Sequence, residues 1–295
     1  MKSNYFLFVS LCFFILGSFA TAQQQPVGNI HDSSRVKIAL NFYSFNSPLL
    51  SGEETLESVI DFCSDTGFDA VDITGYYFAG YPAVPSDEVI FKTKRRAFRQ
   101  GIQICGTGVR NDFTISDKEL LEKEKQLVKD WVVVAAKLGA PVVRIFSGNP
   151  VPSDEWEETA RRVAAAIDEC GEFAKQYGVV LAIQNHNDFL RTADDVEKLF
   201  LLIKSDAVGL MIDIGSYRKD PYKEIEQTVK FAVSWQIKED LFINGVKTKT
   251  DIPRIVDIVR RGGYRGYVPI EILGKGDERE RTKKMFEQLT QTLAP

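Results

Sequence analysis

Histidine and cysteine are scarce in this chain of 295 residues: there are two of the first, His31 and His186, and four of the second. A multi-zinc enzyme draws its ligands from a rich supply of both, so that class is excluded. A disulfide framework needs many more cysteines in a much shorter chain. Basic charge is not in excess either, with 37 Lys and Arg against 41 Asp and Glu and a formal net charge of −4. A general nucleic-acid binder normally carries a basic surface, so this balance argues against one. With 11 Pro and 21 Gly, the composition is neither collagen-like nor that of a disordered chain. What is present is an ordinary globular balance, 44% hydrophobic and 26% charged, in a length that suits one large domain or two small ones.

Long apolar runs are missing too, with one exception at the start. Lys2 precedes an apolar run from Tyr5 to Leu16, which ends in Gly17-Ser18-Phe19-Ala20-Thr21-Ala22. One positive charge, a short apolar core and an Ala-Thr-Ala end predict a secretory signal peptide over 1–22, cleaved before Gln23. The run is short for a bilayer span, which needs about 20 apolar residues. Cys12 lacks the small residues before it that lipid attachment requires. The stretch 23–34, which holds His31, reads as a polar linker, and 35–295 as the folded domain. The expectation is an exported protein, periplasmic in a bacterium, with no stable membrane insertion after cleavage. Cys63, Cys105 and Cys170 show no disulfide plan, so the core must hold the fold together.

From Arg35 onward, short β-rich apolar runs alternate with longer amphipathic ones. The periodicity predicts strands over 36–45, 70–74, 102–109, 142–146, 179–185, 208–214, 233–238 and 267–273. Helices are predicted over 56–66, 87–100, 117–138, 154–177, 193–203, 221–231, 252–261 and 279–293. Glycines stand at several helix ends, as in Thr66-Gly67 and Leu138-Gly139. Eight strands each followed by a helix is the arithmetic of an α/β fold, a (β/α)8 TIM barrel. An open doubly wound sheet usually carries G-x-G-x-x-G after its first strand, and here Asn46-Ser47-Pro48 follows Phe45.

Side chains alternate along a strand, so each strand divides into two faces. One face is apolar, as in Val233, Trp235 and Ile237 or Leu181 and Ile183, and must pack under the helices. The other then points into the barrel. Its polar members are Asp72, Arg144, Gln184, His186, Asp213, Gln236, Lys238 and Glu271. They fall near the strands' C-terminal ends, where barrel enzymes keep their chemistry. Taken singly, each is equally readable as a satisfied interior hydrogen bonder; eight converging on one mouth read as a site.

Four of these stretches, Ala182-Ile183-Gln184-Asn185-His186, Met211-Ile212-Asp213-Ile214-Gly215, Trp235-Gln236-Ile237-Lys238-Glu239 and Gly266-Tyr267-Val268-Pro269-Ile270-Glu271, carry a resemblance. In this order they resemble the xylose-isomerase-like TIM-barrel family, in its sugar phosphate isomerase/epimerase branch. Asp72-Ile73-Thr74-Gly75-Tyr76-Tyr77-Phe78 and Val109-Arg110-Asn111-Asp112-Phe113 are similar to stretches of exported bacterial members. The family holds one divalent cation, often manganese, with Glu, Asp, His and Glu on four successive late strands. Its two glutamates also move a proton on the carbon beside the sugar carbonyl. Here Asp213 and Glu271 match the second and fourth positions, while Gln184 and Gln236 replace the glutamate and the histidine. An amide oxygen can ligate a hard cation but brings no charge and takes no proton at neutral pH.

The resemblance therefore implies Mn²⁺ or Mg²⁺ held by Gln184, Asp213, Gln236 and Glu271, bound more weakly than by three carboxylates. Glu271 and His186 are the candidate acid/base groups, and Lys238 would stabilise an enolate oxygen or pair with Asp213 or Glu239. Arg144, Asn111, Asp72 and Tyr76 are the candidate contacts to a small-molecule sugar. Gly274-Lys275-Gly276 reads as a turn rather than a phosphate cradle, since an exported protein rarely meets sugar phosphates. The expected activity is isomerisation or epimerisation of an unphosphorylated sugar. Alternatives are a keto-glycoside lyase or hydratase, a sugar-binding barrel without catalysis, and, against the charge and the histidine count, an endonuclease.

Overall fold

The computed structural model describes residues 36–294, so the expected signal peptide and the linker with His31 lie outside the described residues. Eight parallel strands form one sheet: β1 (Lys37–Asn41), β2 (Ala70–Thr74), β3 (Gln103–Gly108), β4 (Val142–Phe146), β5 (Val180–Gln184), β6 (Val208–Asp213), β7 (Ala232–Gln236) and, last in the chain, β10 (Tyr267–Ile270). β10 pairs with β1, and the sheet closes where Ile237 N–H donates to Pro269 O at 2.8 Å and Glu271 N–H to Ile237 O at 2.9 Å. A two-stranded antiparallel hairpin, β8 (Asp240–Ile243) and β9 (Val246–Lys249), stands between β7 and β10. The helices are α1 (Asn46–Ser51), α2 (Leu56–Thr66), α3 (Asp87–Arg99), α4 (Lys118–Leu138), α5 (Trp156–Lys175), α6 (Ala193–Leu202), α7 (Pro221–Thr228), α8 (Ile252–Arg261) and α9 (Glu278–Leu293). This is the (β/α)8 barrel that the alternation predicts.

Local chemistry sets the helix ends. Thr55 and Thr192 make capping boxes with Ser58 and Asp195, Asp117 accepts from the N–H groups of Glu119 and Leu120, and Asp220 caps α7 ahead of Pro221. Gly67 and Gly139 end α2 and α4 in the left-handed conformation.

The alternation holds strand by strand. Val71, Ile73, Val143, Ile145, Leu181, Ile183, Ile212, Trp235 and Ile270 are buried outward against helix residues such as Val128, Trp131, Val163 and Ile167. Each such side chain stabilises the fold by about 1.5–3 kcal/mol. Inside the barrel, Ala39, Ala70 and Cys105 form a separate small cluster under Tyr267. They lie toward the strands' N-terminal ends, so the upper interior is left to polar side chains.

Three differences from the sequence reading have physical causes. β1 stops at Asn41, whose side chain accepts from Tyr43 N–H and turns 42–45 into a 3-10 helix. β7 ends at Gln236 and β10 at Ile270, short of Lys238 and Leu273, because beyond them the pairing narrows to a single bridge between Ile237 and Ile270. The strand–helix alternation also has insertions: α1 precedes α2, and the hairpin precedes α8.

Candidate active site

A cavity of about 800 Å³ opens among the loops at the C-terminal ends of the strands. Tyr76, Asn111, Arg144, Gln184, His186, Gln236, Lys238 and Glu271 all line it. Its floor is a bonded polar cluster built from the ends of β5, β6, β7 and β10. Gln184 Nε2 donates to Asp213 Oδ2 at 2.9 Å and to Gln236 Oε1 at 2.7 Å. Lys238 Nζ sits 2.8 Å from Asp213 Oδ2 and 2.8 Å from Glu271 Oε2. Lys238 and Glu271 show 12% and 7% of their side chains, whereas Asp213 is fully buried.

Burial works against charge on both sides of this ion pair, and the partners outweigh it. Desolvation would depress the Lys238 ammonium, but Asp213 and Glu271 hold its proton above the usual lysine range. Burial would likewise raise the Asp213 carboxyl, yet Lys238, the Gln184 amide and Ser216 hold it below the usual aspartate range. Gly215 N–H donates to the other oxygen, Oδ1, at 2.9 Å.

This donor set does not fit a resident Mn²⁺ or Mg²⁺. A carboxylate only accepts, so the Gln184 atom facing Asp213 is the amide nitrogen, which cannot ligate a cation. The Gln236 oxygen is taken by the same nitrogen. Both oxygens of Asp213 are engaged, and the ammonium bridges the two carboxylates a cation would need. Among the described residues, no three His, Cys, Asp or Glu side chains gather into a group that could hold a metal ion.

Arg144 forms one wall. Its guanidinium donates to Val109 O at 2.6 Å and to the Tyr76 hydroxyl at 3.1 Å, and lies 4.3 Å from the Phe146 ring centroid. Burial would lower its proton affinity, but Tyr76, Asp72 and Glu271 raise it, so the charge is held. Asn111 is committed to the scaffold: its amide donates to Phe146 O at 2.8 Å and accepts from Phe146 N–H at 2.9 Å.

Three positions differ from the rim expected of them; Asp213, fully buried behind Lys238 and Gln184, does not itself line the cavity. β5 ends at Gln184, and the buried Asn185 side chain brackets the main chain of Asp213 at 2.8 and 3.1 Å. His186 therefore stands on the following loop, 52% exposed, with Nδ1 3.4 Å from Asp188 Oδ2. Asp72 does not line the cavity. It is 2% exposed beneath it and accepts from Asn41 Nδ2 at 2.8 Å.

The cavity also has walls that the strand pattern did not single out, notably Tyr43, Phe146, Asp112, Glu124, Asp188 and Asn149. Phe146 was available from the alternation, two residues past Arg144. Asp112, Asn149 and Asp188 stand on loops, where no period marks them, Tyr43 on the 3-10 helix after β1, and Glu124 on the first turns of α4, outside the strand pattern. Asp112 Oδ2 accepts from Asn149 Nδ2 at 2.5 Å, and Asp188 Oδ1 is buried without a hydrogen-bond partner. Arg110, Arg144 and Lys238 face Asp112, Glu124, Asp188 and Glu271, a mixed lining rather than a basic one. Gly274-Lys275-Gly276 borders a neighbouring pocket, and Leu273 O accepts from Arg281 at 2.7 Å.

Comparison with known proteins follows the same lines. A family model described as a xylose isomerase-like TIM barrel matches residues 60–292. A D-psicose 3-epimerase with D-tagatose from Clostridium cellulolyticum H10 superposes with a TM-score of 0.74 at 15% identity, over 88% of this chain and 100% of that one. A sugar phosphate isomerase/epimerase from Parabacteroides distasonis ATCC 8503 gives 0.69 at 19% identity, over 88% and 96%. A xylose isomerase-like TIM barrel protein from Mycobacterium smegmatis, in complex with magnesium, gives 0.65 at 18% identity, over 90% and 100%. At these identities the likeness establishes the fold. A curated relative, a probable endonuclease 4 of Thermotoga sp. (strain RQ2), is 28% identical over 129 residues, 40% of this chain. The match spans 44% of that protein's length.

Proposed function

Because the chain belongs to the xylose isomerase-like TIM-barrel family, we propose that it isomerises or epimerises an unphosphorylated sugar or keto-sugar by moving a proton on the carbon beside the carbonyl. The observation that carries this reading is the Asp213–Lys238–Glu271 cluster at the cavity floor, a carboxylate and an ammonium side by side. Such a pair is what a carbon acid needs: a base for the proton and a positive charge for the oxygen that becomes anionic.

In the proposed step the C–H bond breaks and its proton goes to Glu271. The electron pair enters the new C=C bond, and the carbonyl oxygen takes up negative charge beside Lys238. Asp213 holds Lys238 in place. For isomerisation Glu271 returns the proton to the former carbonyl carbon, while the enolate oxygen gains a proton and the neighbouring hydroxyl loses one to become the new carbonyl. For epimerisation His186 protonates the original carbon from the opposite face. Arg144 and Tyr76 would hold sugar hydroxyls. The balanced lining supports an uncharged substrate over a sugar phosphate. The Mn²⁺ or Mg²⁺ implied by family resemblance finds no open seat in this donor set, so no step passes through it. The apolar start of the sequence supports action outside the cytoplasm.

A second reading is elimination from a keto-glycoside, favoured by His186 and Asp188 at the open side of the cavity, where a leaving oxygen would need a proton. One structural neighbour is a probable 3-DHS dehydratase from Bacillus anthracis. Incubating free ketoses and 3-keto-glycosides with the protein in D2O separates the two by NMR. Deuterium uptake at the carbon beside the carbonyl, without cleavage, is expected; release of the aglycone would replace isomerisation with elimination.

A further inference from the structure

We infer that the Lys238 ammonium is the resident cation of this site, standing between the two carboxylates that the family resemblance assigns to a divalent metal, so that the protein works without one. The inference rests on the proton-transfer reading above and concerns which positive charge serves it.

Three features point to a built seat for the ammonium. First, Nζ is equidistant from the two carboxylates, 2.8 Å from each, an ordinary ion-pair hydrogen-bond length. Second, the stem runs close over a glycine: a Cβ on Gly215 would stand 2.9 Å from Lys238 Cδ, so a side chain there would force the methylenes to shift. The same glycine supplies the N–H that binds Asp213 Oδ1. Third, the main chain at Lys238 is tied down by the end of the hairpin: the Thr250 hydroxyl donates to Lys238 O at 2.7 Å, and Thr250 N–H donates to Glu239 O at 2.9 Å.

The substitutions at the neighbouring positions agree with this arrangement. Glutamate at 184 would add a third negative charge and present only acceptors to Asp213. Glutamine instead donates to Asp213 and relieves repulsion. A divalent ion entering this site would have to eject a buried lysine and break the hydrogen bonds to Asp213.

Titrating EDTA-treated protein with MnCl2, with free Mn²⁺ read by electron paramagnetic resonance, tests this directly. The wild type is expected to bind no stoichiometric Mn²⁺ up to about 1 mM, weaker than most functional divalent sites. Lys238→Met leaves two carboxylates unpaired and is expected to bind Mn²⁺ about 100-fold more tightly than the wild type, two factors of ten in the equilibrium constant. Gly215→Ala, which crowds the stem while keeping both carboxylates, should shift affinity the same way and serves if Lys238→Met does not fold. One Mn²⁺ per wild-type chain in the micromolar range would overturn the inference. So would a folded Lys238→Met protein that binds no more than the wild type. Because the readout is binding, it stands apart from the D2O assay: failure of that assay removes the proposed reaction and leaves this result interpretable.

Discussion

Asp72 and Glu271 are both carboxylates on the inner face of the barrel, and the structure separates them by what surrounds each. Glu271 reaches the cavity and pairs with an ammonium. Asp72 lies below it, where burial pushes its carboxyl up to about 6 against the pull of Asn41 and Arg144. A carboxyl whose folded-state pKa is raised favours folding below the unfolded value and loses that contribution as pH rises through the folded one. From about 4 to 6, stability should therefore fall, by up to about 3 kcal/mol for a shift of roughly two units. Asp72→Asn, which stays neutral, is expected to be more stable than the wild type at pH 7.5, with the difference vanishing below pH 4. Urea melts at the two pH values measure it, and equal stabilities at pH 7.5 would contradict the assignment.

At the same scale, side-chain alternation made Arg144, Gln184, Asp213, Gln236 and Glu271 legible as inward residues from the sequence. It gave no view of how they would bond with one another. That Gln184 turns its nitrogen to Asp213, and that Lys238 spans two carboxylates, depends on strands distant in sequence. Asn111 illustrates the converse: it borders the cavity, but its amide is spent on joining the loop after β3 to the main chain of β4.

Strands and hairpins carry the next level of control. β3 is rich in glycine on its inner face, and Gly108 shows why: a Cβ there would lie 3.0 Å from Arg144 Nε and 3.1 Å from its Cβ. The close approach leaves room for the Arg144 guanidinium beside the Tyr76 and Phe146 rings, 5.5 and 4.3 Å from their centroids. Gly108→Ala should push the guanidinium out of line, raising KM several-fold with less effect on kcat, and cost about 1–3 kcal/mol of stability by overpacking. Steady-state kinetics and a thermal melt check both; an unchanged KM would show that Arg144 does not hold the substrate. The β8–β9 hairpin was absent from the strand reading, although Asn244-Gly245 between two short β-rich runs is a strong hairpin signal. Both residues take positive φ, as such a turn requires. The hairpin fixes the main chain at Lys238, so the missed element is one that positions the site.

For the molecule as a whole, the barrel's closure between β7 and β10 decides the chemistry, because Lys238 and Glu271 lie just beyond that last seam. The count of alternating elements was enough to foresee the barrel, since a closed parallel sheet imposes its period on the whole chain. It was not enough to foresee the charge arrangement at the mouth, which rests on two glutamines and a lysine. Export of the chain, proposed from its first 22 residues, would deliver this site to unphosphorylated sugars.

The proposed reaction stands or falls on Glu271 as the base. The decisive measurement is solvent-deuterium incorporation into a keto-sugar by EDTA-treated protein, comparing wild type with Glu271→Gln under identical conditions. The wild type should exchange the hydrogen beside the carbonyl without added metal. The variant should be slower by about 10²–10⁴, the usual worth of a positioned general base. Exchange at the wild-type rate in Glu271→Gln, or exchange that appears only when Mn²⁺ is added, would contradict the account.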